Sequence, residues 1–440
     1  MSGDGWSPRA LWRGFFPETP REGADAIVQN FLLHALPVRI TRRALSWLAT
    51  GWLGTITLHI FLVLCLTGGV LLFLYVPSIE RAYASVKDIE YVVSFGSWLR
   101  GTHRISAHLM VAAVVLHLVR VFLTGAYKKE GAPGAFRPLN WWVGVVLMML
   151  TFGLSFTGYL LPWDQLAYWA ITVGTQIAGS VPFVGDEVRM LMLGGDTVGQ
   201  SALLRFYVLH CFVLPAFMIY LIAYHMWRIR KDGGLAVTDR VVAEARETAR
   251  VAPPSPGKTY TLMGATQGVN AQAASPASLL ARESEAGGVS IVRRTVAIFL
   301  IVLAICSLLG LAMPAQLEEP ANPAVTPNPA KAPWYFLWLQ ELVSILTFRI
   351  GDTLIDGSFL GGVLVPGILI GLLASWPLLD RSPAEAAGVW FHPSRKRQNR
   401  VFLLLLFAAV ILTIIGTFFR GPYWMWVWPW DPSHGHASWV

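Results

Sequence analysis

Seven long apolar runs dominate the pattern of hydrophobic and polar positions along the chain. A helix that crosses the hydrocarbon core of a bilayer needs about 20 apolar residues, because each residue advances it by about 1.5 Å. The runs lie near residues 47–75, 103–124, 140–161, 207–228, 294–314, 360–379 and 401–419. The pattern predicts an all-α integral membrane protein with a four-helix bundle and three further transmembrane helices, seven in total.

The composition also indicates a location in lipid. Of the 440 residues, 55% are hydrophobic and 14% are charged, which is too apolar for a soluble chain of this length. The first apolar run begins behind many polar residues and no small-residue cleavage site precedes it. We therefore interpret it as a membrane helix and not as a secretory signal peptide.

The positive charges are divided unevenly between the two alternating sets of connecting segments. Segments 1–46, 125–139, 229–293 and 381–400 hold 22 Lys and Arg residues, whereas the alternate set holds 8. Cytoplasmic loops of membrane proteins carry the excess of Lys and Arg. This bias predicts a multi-pass protein of a bacterial inner (cytoplasmic) membrane with a cytoplasmic N-terminus and an outer-side C-terminus. It also indicates that the net positive charge contacts membrane lipid and does not bind nucleic acid.

Changes in composition divide the chain into five predicted parts. The linker is rich in Ala, Ser, Pro and Gly and cannot bury a core. The parts are a cytoplasmic N-terminal segment with an interfacial helix (1–46), a four-helix domain (47–231), a flexible linker (232–292), a three-helix C-terminal domain (293–420) and a Trp-rich outer-side tail (421–440).

Four histidines inside the apolar runs recur at matching depths. His103 and His117 are 14 residues apart and His210 and His225 are 15 apart, which is about 21 and 22 Å of helix rise. The two helices run in the same direction, so each depth receives one imidazole from each helix. Imidazoles in hydrocarbon need partners, and such pairs predict axial ligands for two haem irons. The alternative is that they are ordinary core histidines.

Glycines repeat the histidine interval on the two neighbouring helices. Both pairs, Gly54 with Gly68 and Gly144 with Gly158, are 14 residues apart. A macrocycle edge needs a helix surface without side chains, although membrane-helix glycines also serve helix packing. Four arginines near the histidines are candidates to bind haem propionates, or they only extend their charge to the membrane surface. They are Arg100, Arg104, Arg120 and Arg205.

His59 and His108 have no matching histidine, and for them we favour a hydrogen bond to a neighbouring helix.

Three stretches, WLRGTHRISAHLM…LHLVRVFLTGAYKK, GYLLPWDQLAYWA and QSALLRFYVLHCFVLP, resemble cytochrome b of the bc and b6f complexes. The likeness covers about residues 30–420. The chain resembles the b6-type branch of this family in three features: the 15-residue step from His210 to His225, the phrase PWDQ and the seven helices. By this resemblance the b6-type part and the subunit IV-like part are fused in one chain. The resemblance implies two b-type haems, quinol oxidation at an outer pocket and quinone reduction at the inner face. It also implies proton translocation, a Rieske iron–sulfur protein and a cytochrome c or equivalent acceptor as partners, and a homodimeric complex.

Two departures from the family pattern change what the resemblance implies. The outer quinol-pocket motif is usually PEWY, whereas Ala332 here precedes Pro333, Trp334 and Tyr335. We predict that Glu341, further along the same segment, accepts the quinol proton; the alternative is that it merely faces solvent. The b6-type subunit attaches an extra haem through a cysteine, but Trp52 stands at that position, so both haems are predicted to be non-covalent.

On the inner side Arg230 and Lys231 are candidates to bind a quinone oxygen, or they only mark topology.

Two further functions remain open alongside this interpretation. A di-haem membrane anchor of a quinone-linked dehydrogenase explains the histidines equally well but leaves PWDQ and PWYF without a task. A proton-coupled transporter that uses its histidines as relays would lack haem absorbance.

Overall fold

The computed structural model describes residues 39–41, 45–128, 137–231, 284–383 and 386–430. Within these ranges seven helices are long and apolar enough to cross a membrane, which confirms the count and the all-α membrane class. In chain order the spans are Leu53–Leu74, Gly96–Thr124, Arg137–Tyr159, Gln200–Ile229, Ser290–Ala312, Gly357–Leu379 and Pro393–Phe418.

Shorter elements connect these spans. The helices among them are Trp47–Thr50, Ala82–Tyr91, Gln165–Gly179, Gly185–Leu193 and Trp334–Ile345. Two antiparallel strand pairs are present, Arg39–Thr41 with Ser284–Ala286 and Phe348–Ile350 with Thr353–Ile355. We call the end of the bundle at which the second membrane helix begins the His103 end, and the opposite end the His117 end.

The first, second and fifth membrane helices pack against one another around one apolar core. Val63, Met110 and Val302 are buried there. The second and fifth helices cross at two glycines, because a Cβ on Gly101 would collide with the carbonyl of Gly310. Small residues permit this close approach of two membrane helices. The three-helix part is therefore packed onto the four-helix part.

The structure differs from the predicted linker at its C-terminal end. Residues 284–286 pair with Arg39–Thr41, and the fifth helix already begins at Gly287. Composition alone could not show this, because the pairing depends on helix packing that brings two distant segments to one end of the bundle. The predicted interfacial helix at 24–36, most of the linker and the last ten residues of the tail lie outside the described residues.

A buried polar cluster joins the two parts at the His117 end. Arg395 is fully buried and donates to Asp380 at 3.1 Å and to the carbonyl of Phe122 at 2.7 Å. The hydroxyl of Tyr127 donates to the same carboxylate at 2.8 Å. Burial alone would raise the pKa of Asp380, but hydrogen bonds from Ser382 and Tyr127 and the nearby ammonium of Lys128 lower it to about 2.

Candidate functional site

The structure brings the four histidines together as two facing pairs. The ring centres of His103 and His210 are 6.3 Å apart and the rings are nearly perpendicular, at 82°. The rings of His117 and His225 are 6.5 Å apart at 81°. Each pair spans the gap between the second and fourth membrane helices.

A local widening of the fourth helix explains how a 15-residue step matches a 14-residue step. Residues Leu209–Val213 form a π-helical turn between the α-helical segments Gln200–Val208 and Leu214–Lys231. Pro215 follows this turn; it has no N–H, and its ring would clash with the carbonyl four residues earlier. A π-turn takes up one extra residue. His210 and His225 therefore lie on one face despite their longer interval.

A threonine hydroxyl and a backbone carbonyl fix the ring tautomers at the His103 end. The hydroxyl of Thr67 donates to the carbonyl of Val63 at 2.7 Å, so its oxygen accepts from Nδ1 of His103 at 2.9 Å. The Nδ1 of His210 lies 3.1 Å from the carbonyl of Leu154, which can only accept. Both Nδ1 atoms must then carry the proton, which leaves the lone pair of each Nε2 free to bind a metal.

The hydrogen bond at His210 has the same form as the one at His103. Thr157 donates to the carbonyl of Gly153 at 2.8 Å and lies 3.2 Å from Nδ1 of His210. Among the described residues no hydrogen bond of standard geometry reaches Nδ1 of His117 or His225. The two histidine pairs are therefore held differently at the two ends.

Each of the four predicted glycines lies against the Cε1 edge of one imidazole. A Cβ on Gly158 would lie 2.5 Å from Cε1 of His210, and on Gly68 it would lie 3.0 Å from Cε1 of His103. The corresponding distances at the His117 end are 3.2 Å from Gly54 to His117 and 3.7 Å from Gly144 to His225. The glycines thus make room for the rings, a contact that the sequence argument did not name.

The spacing within each pair fits an iron porphyrin. Two metal–nitrogen bonds of about 2 Å, with about 1 Å from each nitrogen to its ring centre, place two axial imidazoles about 6 Å apart. Within the described part of the chain no group of three or more His, Cys, Asp or Glu side chains could hold a metal ion by itself. A metal held by one of these pairs would need its remaining ligands from a cofactor, as haem supplies them.

The two predicted propionate-binding arginines closest to the helix starts are already engaged. Arg100 forms an ion pair with Glu90 at 2.6 Å and donates to the carbonyls of Ala315 and Gln316 at 2.7 Å. Arg205 is exposed and donates to the carbonyls of Met190 and Leu191. These bonds fasten connecting segments to the bundle.

The other predicted cations lie differently. Arg104 interacts electrostatically with Tyr335 and Tyr159. Arg120 is buried close to His117, one turn further along the second helix. Arg230 and Lys231 end the fourth helix, and their side chains are outside the described part of the structure.

The two long connections at the His103 end pack against each other. Asp164 caps the helix Gln165–Gly179 by accepting from the N–H of Ala167 at 2.9 Å, and it also accepts from the N–H of Glu318 at 3.3 Å. Gln165 accepts from the N–H of Asn322 at 3.0 Å. Burial raises the pKa of Asp164 against the effect of these hydrogen bonds. The PWDQ phrase therefore anchors the second connection.

The residues Pro333, Trp334 and Tyr335 begin a short helix beside the second membrane helix. Pro333 occupies the N-cap position of Trp334–Ile345. Trp334 donates from Nε1 to Nδ1 of His108 at 2.9 Å, and the ring centres of His108 and Tyr335 are 5.6 Å apart. Tyr335 is buried and Trp334 is 42% exposed. His108 thus joins the predicted quinol-pocket motif to the histidine-bearing helix.

Glu341 is fully buried, so the alternative that it faces solvent is wrong. Arg420 lies 3.1 and 3.0 Å from its two carboxylate oxygens through Nε, and Trp424 donates to it at 3.1 Å. This ion pair ties the helix Trp334–Ile345 to the end of the seventh membrane helix. A role for Glu341 in proton transfer stays a prediction.

The sequence did not reveal the two threonines. For His108 it predicted a hydrogen bond to a neighbouring helix, which the bond from Trp334 confirms, but it did not identify Trp334 as the partner. One signal was available, because Thr67 precedes Gly68 and Thr157 precedes Gly158, whereas Leu53 and Val143 precede the other two glycines. The repeated Thr-Gly pair marks the two glycines of the His103 end. The contact between His108 and Trp334 joins residues 226 positions apart and has no local signal.

Comparisons with known proteins agree with this architecture. The family described as "Cytochrome b/b6/petB" matches residues 42–233, and "Cytochrome b(C-terminal)/b6/petD" matches residues 320–429. Cytochrome b6 of Heliobacterium modesticaldum is 45% identical over 181 residues, which are 41% of this chain and 82% of that protein. Cytochrome b6 of Synechococcus elongatus is also 45% identical over 181 residues, 41% of this chain and 81% of its own length.

A solved structure titled "Hyperthermophilic respiratory Complex III" shares the fold. It aligns with a TM-score of 0.62 over 93% of this chain and 89% of its own, at 22% identity. Membrane helices with facing imidazole pairs and two consecutive family matches define the class. The chain belongs to the cytochrome b family, with a b6-type part and a subunit IV-like part fused in one polypeptide.

Proposed function

We propose that this chain is the cytochrome b subunit of a bc-type quinol:acceptor oxidoreductase that moves electrons across the membrane through two non-covalent b-type haems. The observation that carries the proposal is the pair of imidazole gaps, 6.3 and 6.5 Å between ring centres. When bound, haem supplies one-electron chemistry, while the protein positions the group and tunes it. His103 and His210 would hold the outer haem, and His117 and His225 would hold the inner one.

Quinol oxidation takes place at the His103 end, where Pro333, Trp334 and Tyr335 meet the second membrane helix. Glu341 is the carboxylate assigned to the quinol proton. Because Arg420 binds both of its oxygens, proton exchange requires that ion pair to open. Quinone reduction takes place at the His117 end with Arg230 and Lys231 as candidate ligands, so that protons leave outside and enter inside.

The positive-charge bias supports an orientation with the His103 end outside a bacterial inner membrane. The complex formed would include a Rieske iron–sulfur protein and a cytochrome c or equivalent acceptor, in a homodimer. Arg104 and Arg120 would bind haem propionates, whereas the ion pair of Arg100 and the backbone contacts of Arg205 favour structural roles for those two.

A redox titration of the purified complex tests the proposal. We expect two b-type components, both reduced by decylubiquinol, and copurification of a Rieske protein. His103→Leu removes one component, whereas His59→Leu keeps both, because His59 packs against Phe299 without a facing imidazole. Absence of haem absorbance would favour the transporter, and copurification with a dehydrogenase in place of a Rieske protein would favour the anchor.

Glu341→Gln tests the proton assignment. If Glu341 exchanges the quinol proton, the substitution slows quinol oxidation and alters its pH dependence. An unchanged rate and pH profile would leave Glu341 with the ion pair alone.

A further inference from the structure

We propose that His108 is a quinone-binding residue that donates a hydrogen bond from Nε2–H to a ring oxygen of the quinol or quinone. The inference deepens the proposed function and rests on it. It begins with the contact between His108 and Trp334, which is the hydrogen bond to a neighbouring helix that the sequence predicts for His108.

The hydrogen bond from Trp334 fixes the proton of His108. An indole N–H can only donate, and it points to Nδ1 of His108 at 2.9 Å. That nitrogen therefore offers its lone pair, and a neutral imidazole must then carry its proton on Nε2. The tautomer is the reverse of that of His103, whose Nδ1 carries the proton.

The Nε2–H of His108 has no acceptor among the described residues, whose hydrogen bonds include only the Trp334 contact for this side chain. The ring is half-buried on a membrane helix. A polar donor at this depth is costly unless it meets an acceptor. A ligand oxygen that arrives from the lipid phase would satisfy it.

The surroundings select the class of ligand. The rings of Trp334 and Tyr335 lie 5.4 Å apart and nearly perpendicular, and Tyr335 is in edge contact with the imidazole. Aromatic walls with one fixed donor suit a flat apolar ring that carries an oxygen. Residue 332, which is alanine, adds no polar side chain to this motif. A quinone ring matches this chemistry, and no proton transfer by His108 is required.

Two substitutions of similar size separate donation from packing. His108→Met removes the donor and keeps an adaptable apolar side chain, whereas His108→Gln keeps an amide that can donate to the substrate and accept from Trp334. In the purified complex with decylubiquinol, we expect KM to rise about 3- to 10-fold in His108→Met, as loss of one hydrogen bond implies. An unchanged kcat would indicate uniform binding of ground and transition states.

The expected pattern is a raised KM in His108→Met, near-normal KM in His108→Gln and two unchanged haem components in both. A normal KM in His108→Met, or an equal rise in both variants, overturns the proposal. His108→Leu replaces the methionine variant if that protein does not assemble. Failure of the proposed function is distinguishable, because the unsubstituted complex would then not be reduced by decylubiquinol at all.

Discussion

Gly158, beside the Cε1 edge of His210, gives the sharpest test of the proposed haem sites. A Cβ added at Gly158 would lie 2.5 Å from Cε1 of the imidazole, and ordinary contact begins at 3.4 Å. The ring must therefore retreat by about 0.9 Å. Nε2, the atom that would bind the iron, would lie only 3.0 Å from the same Cβ. The shift therefore displaces the ligand atom itself and disturbs the 6.3 Å spacing that fits two metal–imidazole bonds.

Gly158→Ala should therefore weaken binding of the outer haem selectively. Overpacking of this kind costs about 1–3 kcal/mol, which corresponds to roughly a 5- to 150-fold loss of affinity. The assay is haem content per polypeptide by the pyridine haemochrome method, together with the rate of haem transfer to apomyoglobin. We expect faster loss of one of two haems and an unchanged inner component.

Gly144→Ala is the matched control, because its Cβ would lie 3.7 Å from the ring of His225, at ordinary contact distance. It places the same extra methyl group on the same membrane helix. We expect it to keep both haems at the rate of the unsubstituted protein. Equal retention in Gly158→Ala and Gly144→Ala would refute the reasoning from ring clearance.

Three further predictions concern Thr67, Asp380 and Trp52. Thr67→Val removes the acceptor of the Nδ1–H of His103 and so lowers the basicity of that imidazole. The reduction potential of the outer haem should therefore rise by roughly 20–60 mV, the equivalent of one hydrogen bond. Potentiometry that shows no shift, or an equal shift of the inner haem, would contradict this. Asp380→Asn leaves Arg395 buried without its counter-charge and should cost about 3–5 kcal/mol, measured as a lower melting temperature in detergent at pH 7. The folded-state pKa of Asp380, about 2, lies below its ordinary 3.8, so this stabilisation is complete above pH 3.8 and is lost as the pH falls toward 2; a melting temperature that is independent of pH in this range would oppose it. Because Trp52 stands where a cysteine would attach a haem, acidified acetone should extract all haem from the denatured chain, and residual absorbance on the polypeptide would contradict this.

The ion pair of Glu341 shows where reasoning from sequence stopped. The sequence makes this residue a candidate because it is a carboxylate near a predicted pocket, which is a local feature. Its partner Arg420 lies 79 positions away, just beyond the end of the seventh helix, and no spacing rule connects the two. Whether the carboxylate exchanges protons or only holds the helix therefore depends on contacts that tertiary packing creates.

The sequence by itself determined the seven membrane spans and the two depths of histidines, because hydrophobic length and helical rise are properties of each helix alone. Only the tertiary structure decided that a π-turn aligns His210 with His225, that Gly158 lies against the edge of an imidazole and that Trp334 fixes the proton of His108. These features depend on which side chains meet across helices. Such meetings are set by packing between segments far apart in the chain, and a periodicity that repeats along one helix carries no record of them.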